Sequence, residues 1–232
     1  MFLICCLAFA LHGQNLPWWK DGVHGSEIEV VRPFLPEDPV ILEAGACSGE
    51  DTLLLAKNWP KGTIHAFEPY LPYYESLAKK VSEMPQIHAY PFGLYSVAGE
   101  YSFHVSQIWK GAASLLEDNR LPGNPYDDVS ATIKCKNLDE WAREAQVDHI
   151  DYMWLDMEGV ELEMLRSAPN IFKTVKAIST EVNFRVFRKG MVQFKEIDSF
   201  MEANGMTLYK IWESPPNTRN WQATAIYIRK GL

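Results

Sequence analysis

Short runs of apolar residues alternate with amphipathic stretches along the chain from Val40 onward. Short apolar runs predict buried β-strands, and apolar positions three or four residues apart predict helices that pack on a sheet. The predicted strands are residues 40–44, 63–67, 86–90, 150–155, 175–181, 207–212 and 223–228. The predicted helices are residues 50–59, 70–83, 138–145, 161–167 and 192–204. Strands that alternate with helices are typical of a parallel sheet covered by helices.

Two segments depart from this alternation. Residues 101–105 and 131–135 have β character, and a loop rich in Pro, Gly and Asn separates them, so we interpret them as a hairpin-like insertion. The loop between the last two predicted strands is rich in Pro and Asn, and Trp212 and Trp221 beside it are candidates to cover a substrate. Pro169 is expected to end the helix that precedes it.

Seven strands with helices between most of them predict an α/β fold with a Rossmann-like, doubly wound and mostly parallel seven-stranded sheet. We place this domain at residues 40–232 and treat residues 1–39 as an N-terminal segment. An apolar run at residues 2–11 resembles a short signal-peptide core, although it lacks a positively charged start. The run is too short to span a bilayer. An element buried against the domain is the other interpretation of this segment.

Net charge and cysteine content narrow the classes of ligand. The formal net charge is −8, and Lys and Arg form no run beyond pairs. A nucleic-acid partner is therefore disfavoured, because such proteins normally carry a concentrated basic face. The four cysteines form no Cys-x-x-Cys pair and no cluster with His at zinc spacing, so no structural zinc site is expected. We interpret Cys47 and Cys135 as buried thiols.

Residues 43–52, Glu-Ala-Gly-Ala-Cys-Ser-Gly-Glu-Asp-Thr, lie where the first predicted strand turns into a helix. Open α/β sheets bind ligands at such turns. Gly45 and Gly49 would let the backbone approach a ligand, so we expect Gly45→Val to block binding while the fold survives. Their Gly-x-x-x-Gly spacing differs from the dinucleotide fingerprint, and Glu50 and Asp51 would repel a pyrophosphate but tolerate a positively charged sulfonium cofactor. A tight turn without a ligand is the alternative.

Glu68 ends the second predicted strand, about 20 residues beyond the glycine loop. An acid at this place can accept hydrogen bonds from both hydroxyls of a ribose. Pro69 then begins the next helix, where its missing N–H costs little. An ordinary acid at a helix start is the alternative for Glu68.

Three segments together resemble the FkbM family of methyltransferases: residues 43–49, Phe67-Glu68-Pro69 and residues 155–165, Leu-Asp-Met-Glu-Gly-Val-Glu-Leu-Glu-Met-Leu. The resemblance extends over residues 40–230, and the third segment is the most specific. It implies a seven-stranded methyltransferase fold, S-adenosylmethionine as the methyl donor and, usually, a hydroxyl acceptor on a sugar, polyketide or other small metabolite. It also implies a set of donor-binding residues, namely Glu43, Gly45, Ala46, Gly49, Glu68 and Ser114.

Polar residues follow two neighbouring predicted strands: Asp156 and Glu158 follow one, and Glu181 and Asn183 lie at the end of the next. We expect them at one edge of the sheet beside the donor's methyl group, with Asp156 also in contact with the donor. A hydroxyl nucleophile needs a base or a metal ion, so we predict catalytic roles for Asp156, Glu158 and Glu181. Asp156, Glu181 and Asn183 also resemble a Mg²⁺ site, although we favour the metal-free version. The alternative for Glu158 and Glu161 is a solvated helix start.

The sequence thus predicts a methyltransferase that uses S-adenosylmethionine to methylate an oxygen of a small-molecule or carbohydrate-like acceptor. No nucleic-acid partner and no stable membrane span are expected, and the oligomeric state is left open. Two alternatives remain: a nicotinamide-dependent oxidoreductase, disfavoured by the glycine spacing, and a non-catalytic binding protein that keeps the fold. Because the donor is a cytosolic cofactor, we expect a cytoplasmic protein, with secretion as the alternative.

Overall fold

A seven-stranded sheet with helices on both faces forms the framework of the described residues, which are 25–106, 111–118, 128–213 and 222–232 of this computed structural model. The strands are β1 (Val40–Ala44), β2 (Thr63–Phe67), β3 (Ile87–Tyr90), β4 (Gly93–Leu94), β5 (Gly99–Ser106), β6 (Asp128–Lys136), β7 (Tyr152–Leu155), β8 (Ala177–Asn183), β9 (Met206–Glu213) and β10 (Gln222–Arg229). The helices are α1 (Ser26–Val31), α2 (Glu50–Asn58), α3 (Leu71–Val81), α4 (Leu138–Glu144), α5 (Glu161–Arg166), α6 (Pro169–Phe172) and α7 (Phe194–Ala203).

The sheet has the strand order β3-β2-β1-β7-β8-β10-β9. Its neighbouring strands are parallel except for β10, which runs antiparallel between β8 and β9. The predicted doubly wound, mostly parallel seven-stranded sheet is therefore confirmed. The strand order reverses between β1 and β7, and such a reversal opens a crevice outside the carboxyl ends of the strands.

Two apolar cores cover the two faces of the sheet, because side chains alternate between the faces along each strand. Leu42 of β1 packs with α4, α5, α6 and α7 on one face. Ile41, its neighbour on β1, packs with α1, α2 and α3 on the other face. Both side chains are fully buried. The alternation of apolar strands and amphipathic helices thus places a helical layer on each side.

The predicted insertion is a second, three-stranded sheet with the order β4-β6-β5. Strands β5 and β6 pair antiparallel from Gly99 opposite Cys135 to Ser106 opposite Asp128, which confirms the predicted pairing. Strand β4 was not predicted, because its two residues are too few to carry an alternating pattern. The small sheet lies next to the carboxyl ends of the main sheet and supplies one side of the site described below.

Two elements differ from the sequence prediction. Pro169 does not simply end a helix, since α5 ends at Arg166 and Pro169 is the first residue of α6. A proline is tolerated there because the first helical N–H has no partner within the helix. The second difference is α1, whose Ile28 and Val31 are buried in the core, although no helix was assigned to particular residues before Val40. Six residues are too few for the helical repeat to be visible.

The remaining expectations for the N-terminal segment fall on residues 1–24, outside the described residues. The domain boundary at residue 40 stays a prediction, although the packed core extends N-terminal of it as far as Ile28. Among the described residues, every helix is too short or too polar to span a membrane.

Gly45 is required by the fold itself. It follows β1 with φ at +90°, and a Cβ atom there would lie 1.8 Å from the carbonyl oxygen of Asp156. The two backbones are also joined by a hydrogen bond of 3.0 Å from the Asp156 N–H to the Ala44 oxygen. The expectation that the fold survives Gly45→Val is therefore wrong, because that side chain would push the ends of β1 and β7 apart.

Candidate active site

An open cleft of about 670 Å³, its mouth included, lies at the carboxyl ends of β1, β2 and β7. Gly45, Glu68 and Asp156 line the cleft, each directly after one of these strands. A more apolar part of the lining comes from the small sheet and from residues 111–118, namely Leu94, Phe103, Ile133, Gly111, Ala113 and Leu115. We call this space the cleft.

The glycine loop between β1 and α2 is held against β2. The backbone N–H groups of Gly45 and Ala46 both donate to the Phe67 oxygen, at 3.1 and 3.0 Å. Gly49 packs on α3, where an added Cβ would lie 2.7 Å from Leu77. Of the four predicted loop residues, only Gly45 is among the described residues that line the cleft. Ala46 and Gly49 instead set the path of the backbone.

Cys47 reaches the cleft, so the interpretation of it as a fully buried thiol is wrong. Its side chain is half-buried and its backbone has φ at +47°, in the left-handed region. Removal from water and the nearby Glu68 raise the pKa of the Cys47 thiol to about 11. Cys135 is buried as predicted, and it lines the same cleft.

Glu43 lies beneath the loop and is not among the described residues that line the cleft. It is 1% exposed, and its carboxyl group accepts a hydrogen bond of 2.6 Å from the Thr52 hydroxyl. Burial, and then the charge of Asp51, raise the pKa of Glu43 to about 8. Glu43 therefore joins β1 to α2, and any effect on a ligand acts through the loop.

Glu68 meets the geometric requirement for its predicted role. It is 4% exposed and lines the cleft. One carboxylate oxygen accepts the backbone N–H of Cys47 at 2.8 Å, and the other accepts that of Tyr70 at 2.7 Å. Burial raises the pKa of Glu68 to about 7, against the effect of these two bonds. Each carboxylate oxygen has a second lone pair that can accept a hydrogen bond from a ligand hydroxyl.

Three acids meet where β7 and β8 end. One carboxylate oxygen from each of Asp156, Glu158 and Glu181 lies within 4.8 Å of the other two. We call these residues the acidic cluster. Asp156 is the exposed member and lines the cleft, whereas Glu158 and Glu181 are half-buried. Glu158 has φ at +56°, an uncommon conformation for a residue other than glycine.

Glu181 is the member of the cluster whose pKa the protein raises. Removal from water, followed by the charges of Glu158 and Asp156, raises its pKa well above the usual range. Glu181 is hydrogen-bonded to Asp156, and one of its oxygens accepts a hydrogen bond from the amide nitrogen of Gln222. Gln222 was not predicted as a site residue. It lies on β10, which pairs antiparallel with β8, and no local sequence motif marks that pairing.

Asn183 lies two positions after Glu181 and therefore on the same face of β8. Its side-chain oxygen is buried and has no hydrogen-bond partner among the described residues. Its predicted part in a metal site stays a prediction.

Glu161 shapes the loop that carries the acidic cluster. It is 1% exposed, so the alternative of a solvated helix start is wrong for this residue. One of its carboxylate oxygens accepts the backbone N–H groups of Met157 at 2.9 Å and Gly159 at 3.3 Å. Burial raises the pKa of Glu161 to about 7. The loop from Asp156 to Glu161 is thus folded around a buried carboxyl group.

Ser114 is buried behind the cleft wall. Its hydroxyl donates to the backbone oxygen of Glu158 at 2.9 Å and accepts the backbone N–H of Leu116 at 3.0 Å. Its neighbours Ala113 and Leu115 line the cleft, whereas Ser114 is not among the described residues that do so. Trp221 lies outside the described residues, and Trp212 packs against the apolar core on the α1 side of the sheet.

The buried carboxyl groups predict that stability falls as the pH rises from 6.5 to 8. The folded protein raises the pKa of Glu43, Glu68 and Glu161 from 4.5 to about 8, 7 and 7, so it holds more protons than the unfolded chain. Stability decreases with pH wherever the folded state holds more protons. His65, whose pKa burial lowers from 6.5 to about 4, has the opposite effect, but it is one group against three and its effect fades as the pH rises above 6.5.

Thermal unfolding at constant ionic strength measures this dependence, and we expect the midpoint to fall across the range. Glu43→Gln keeps an oxygen that can accept from Thr52 and removes the group with the highest of the three pKa values. Its unfolding midpoint should depend less on pH than that of the parent. A midpoint that rises with pH would contradict the assigned protons.

A family model for the methyltransferase FkbM domain matches residues 43–208. The chain is 22% identical over 178 residues to the 2-O-methyltransferase NoeI of Sinorhizobium fredii, with 73% of each chain covered. It is 27% identical over 179 residues to the hexuronic acid methyltransferase AglP of Haloferax volcanii, with 75% of this chain and 70% of the relative covered.

Solved structures with the same fold include a methyltransferase FkbM from Methylobacillus flagellatus. The TM-score is 0.59 at 12% identity, over 91% of this chain and half of the other. The fibrillarin of Aeropyrum pernix, in complex with S-adenosyl-L-methionine, gives a TM-score of 0.52 at 14% identity, over 84% of this chain and 69% of fibrillarin.

The family match covers most of the chain and contains the glycine loop, Glu68, the acidic cluster and most of the sheet. The overall fold is similar to that of those solved structures. The protein is therefore a member of the FkbM family of S-adenosylmethionine-dependent methyltransferases.

Proposed function

We propose that the protein transfers the methyl group of S-adenosylmethionine to a hydroxyl oxygen of a small-molecule or carbohydrate-like acceptor. The observation that carries this proposal is the acidic cluster, whose exposed member Asp156 lines the same cleft as Glu68. A relative named as a 2-O-methyltransferase and another named for a hexuronic acid support a sugar hydroxyl as the acceptor. A nicotinamide-dependent oxidoreductase is not proposed, because the family is one of methyltransferases.

The described residues of the cleft fit the donor. When bound, S-adenosylmethionine supplies an electrophilic methyl group on a positively charged sulfonium. The acidic cluster favours a cation, because its carboxylates repel one another and Glu181 is removed from water. Phe103, Leu94 and Ile133 offer the apolar surface that an aromatic base needs. Glu68 is placed to accept hydrogen bonds from ribose hydroxyls.

Gly45 and Cys47 contribute backbone at the cleft surface, whereas Glu43, Ala46 and Gly49 support the loop from below. Ser114 supports the opposite wall through its bond to Glu158. We therefore assign direct donor contacts to Gly45, Cys47, Glu68 and Asp156, and indirect roles to the other predicted residues.

Asp156 is the group that we assign to proton removal. The raised pKa of Glu181, which is hydrogen-bonded to Asp156, favours the proton on Glu181 and the negative charge on Asp156. It is also exposed to the cleft, where an acceptor can reach it. Asp156 would take the proton of the acceptor hydroxyl as the hydroxyl oxygen takes the methyl group and the methyl–sulfur bond breaks, which leaves S-adenosylhomocysteine. Glu158 and Glu181 then act as positioning residues, with Gln222 fixing the orientation of Glu181.

A divalent cation is the alternative to this metal-free arrangement. Three carboxylate oxygens within 4.8 Å of one another can coordinate Mg²⁺, which prefers oxygen ligands. The proton on Glu181 relieves the same repulsion without a metal ion, and for that reason we propose the metal-free version. The absence of a nucleic-acid partner and a cytoplasmic location stay predictions.

Glu68→Gln should weaken S-adenosylmethionine binding by about 1.5–3 kcal/mol, the usual contribution of hydrogen bonds to a charged group. Calorimetric titration measures the loss. A methionine fragment without the ribose should bind to Glu68→Gln and to the parent equally well. The matched control is Glu75→Gln, which removes one carboxylate from the exposed face of α3 and should change neither affinity.

In Glu68→Gln, the amide N–H₂ group faces one of the two backbone N–H groups that donate to Glu68 in the parent. That hydrogen bond is lost, so the unfolding midpoint should fall as well. Equal losses of affinity for S-adenosylmethionine and for the methionine fragment would remove Glu68 from the ribose role and leave it a loop-supporting residue.

Asp156→Asn keeps the size of the side chain and removes its charge. We expect turnover to fall by at least about a hundredfold, the lower end for the loss of a general base, with donor affinity changed much less. The assay is methyl transfer across a library of sugars and hydroxylated small molecules. Glu163→Gln on α5, which removes an exposed carboxylate paired with Arg166, is the control and should keep full turnover.

Chelation separates the two versions of the site. In the metal-free arrangement, EDTA leaves the turnover of the parent unchanged. Loss of turnover with EDTA and its recovery with Mg²⁺ would contradict the metal-free arrangement and support a metal site. Near-normal turnover in Asp156→Asn would contradict both versions.

A further inference from the structure

Residues 111–118 form one wall of the cleft, and we call them the wall segment. Arg188 joins this segment to the rest of the site. We propose that Arg188 is a positioning residue that fixes the wall segment and, through it, the loop of the acidic cluster. The inference rests on the proposed function only for the ligand that the cleft binds. The contacts of Arg188 themselves are independent of that function.

The guanidinium group of Arg188 holds two backbone carbonyl groups of the wall segment. One nitrogen donates to the Leu116 oxygen at 3.0 Å, and a second donates to the Ala112 oxygen at 2.6 Å. Arg188 is 8% exposed, so these bonds are shielded from water. A lysine ammonium is a single charged point, whereas the planar guanidinium presents several N–H groups at fixed angles and can span two acceptors.

The residues that Arg188 holds alternate with those that line the cleft. Gly111, Ala113 and Leu115 lie on the cleft surface. The carbonyl groups of Ala112 and Leu116 are instead bound by Arg188. The position of the guanidinium therefore determines how far the wall stands from Glu68 and Asp156 across the cleft.

The wall segment also contacts the loop that carries the acidic cluster. The Ser114 hydroxyl donates to the backbone oxygen of Glu158 at 2.9 Å. Gly159 lies between the wall and the segment after Arg188, since an added Cβ would be 2.9 Å from Met191 and 3.4 Å from Leu116. The Val192 N–H donates to the Gly159 oxygen at 3.4 Å. Three segments that are far apart in sequence thus hold one another in place.

A neighbouring contact supplies the comparison that isolates Arg188. Lys189 forms an ion pair of 2.7 Å with Glu117, and both side chains are about 60% exposed. Exposed pairs of this kind contribute little to stability. The backbone N–H of Lys189 also donates to the backbone oxygen of Glu117 at 2.8 Å. A change of the Lys189 side chain leaves this bond in place.

Arg188→Lys and the matched control Lys189→Gln test the proposal, with amide hydrogen exchange and calorimetric titration of S-adenosylmethionine and S-adenosylhomocysteine as the measurements. In Arg188→Lys we expect exchange to increase about tenfold or more in residues 111–118 and 156–161, with β1 and β2 unchanged. Affinity for both adenosyl ligands should fall about tenfold, which corresponds to the loss of one charged hydrogen bond. Lys189→Gln should match the parent in both measurements.

Exchange in the wall segment that equals the parent's would overturn the proposal. A uniform increase over the whole sheet would also overturn it, because it would make Arg188 a general stabilising residue. If the parent binds neither adenosyl ligand, the proposed function fails, while the exchange pattern still decides whether Arg188 positions the wall.

Discussion

The burial of carboxyl groups at one edge of the sheet is the constraint on which the site depends. Glu43, Glu68, Glu161 and Glu181 all have raised pKa values, and burial is the largest cause for each. The protein offsets the cost of this burial with bound protons and with hydrogen bonds donated by Thr52, backbone N–H groups and Gln222. A cationic ligand would relieve it further, which is the physical reason for a sulfonium cofactor in this cleft.

The topology of the sheet brings these groups together. The strand order reverses between β1 and β7, and the chain leaves both strands at the same edge. Gly45 and the backbone of Asp156 are so close there that no side chain fits at Gly45. That close approach places the residues after β1 beside those after β7. The glycine loop is thus a consequence of strand packing first, and of ligand access second.

Much of this arrangement follows from local sequence patterns. The apolar runs of β1 and β2 gave their bounds, and the polar residues after the strands located Glu68, Asp156 and Glu181. Contacts between distant segments leave no such pattern. Gln222 reaches Glu181 through an antiparallel pairing, and Arg188 reaches Leu116 across 72 positions of sequence. Glu161 looked like a solvated helix-start acid, because the burial that gives it a structural role depends on the whole fold.

The central claim is that the cleft binds a cationic donor, whose charge and ribose hydroxyls lower the raised pKa of Glu68. Calorimetric titration of S-adenosylmethionine at pH 7, repeated in two buffers of different ionisation enthalpy, tests it directly, with NAD as the comparison ligand. We expect S-adenosylmethionine to bind with release of protons to the buffer, and NAD not to bind. Binding of NAD, or binding of S-adenosylmethionine with no change in bound protons, would contradict the account.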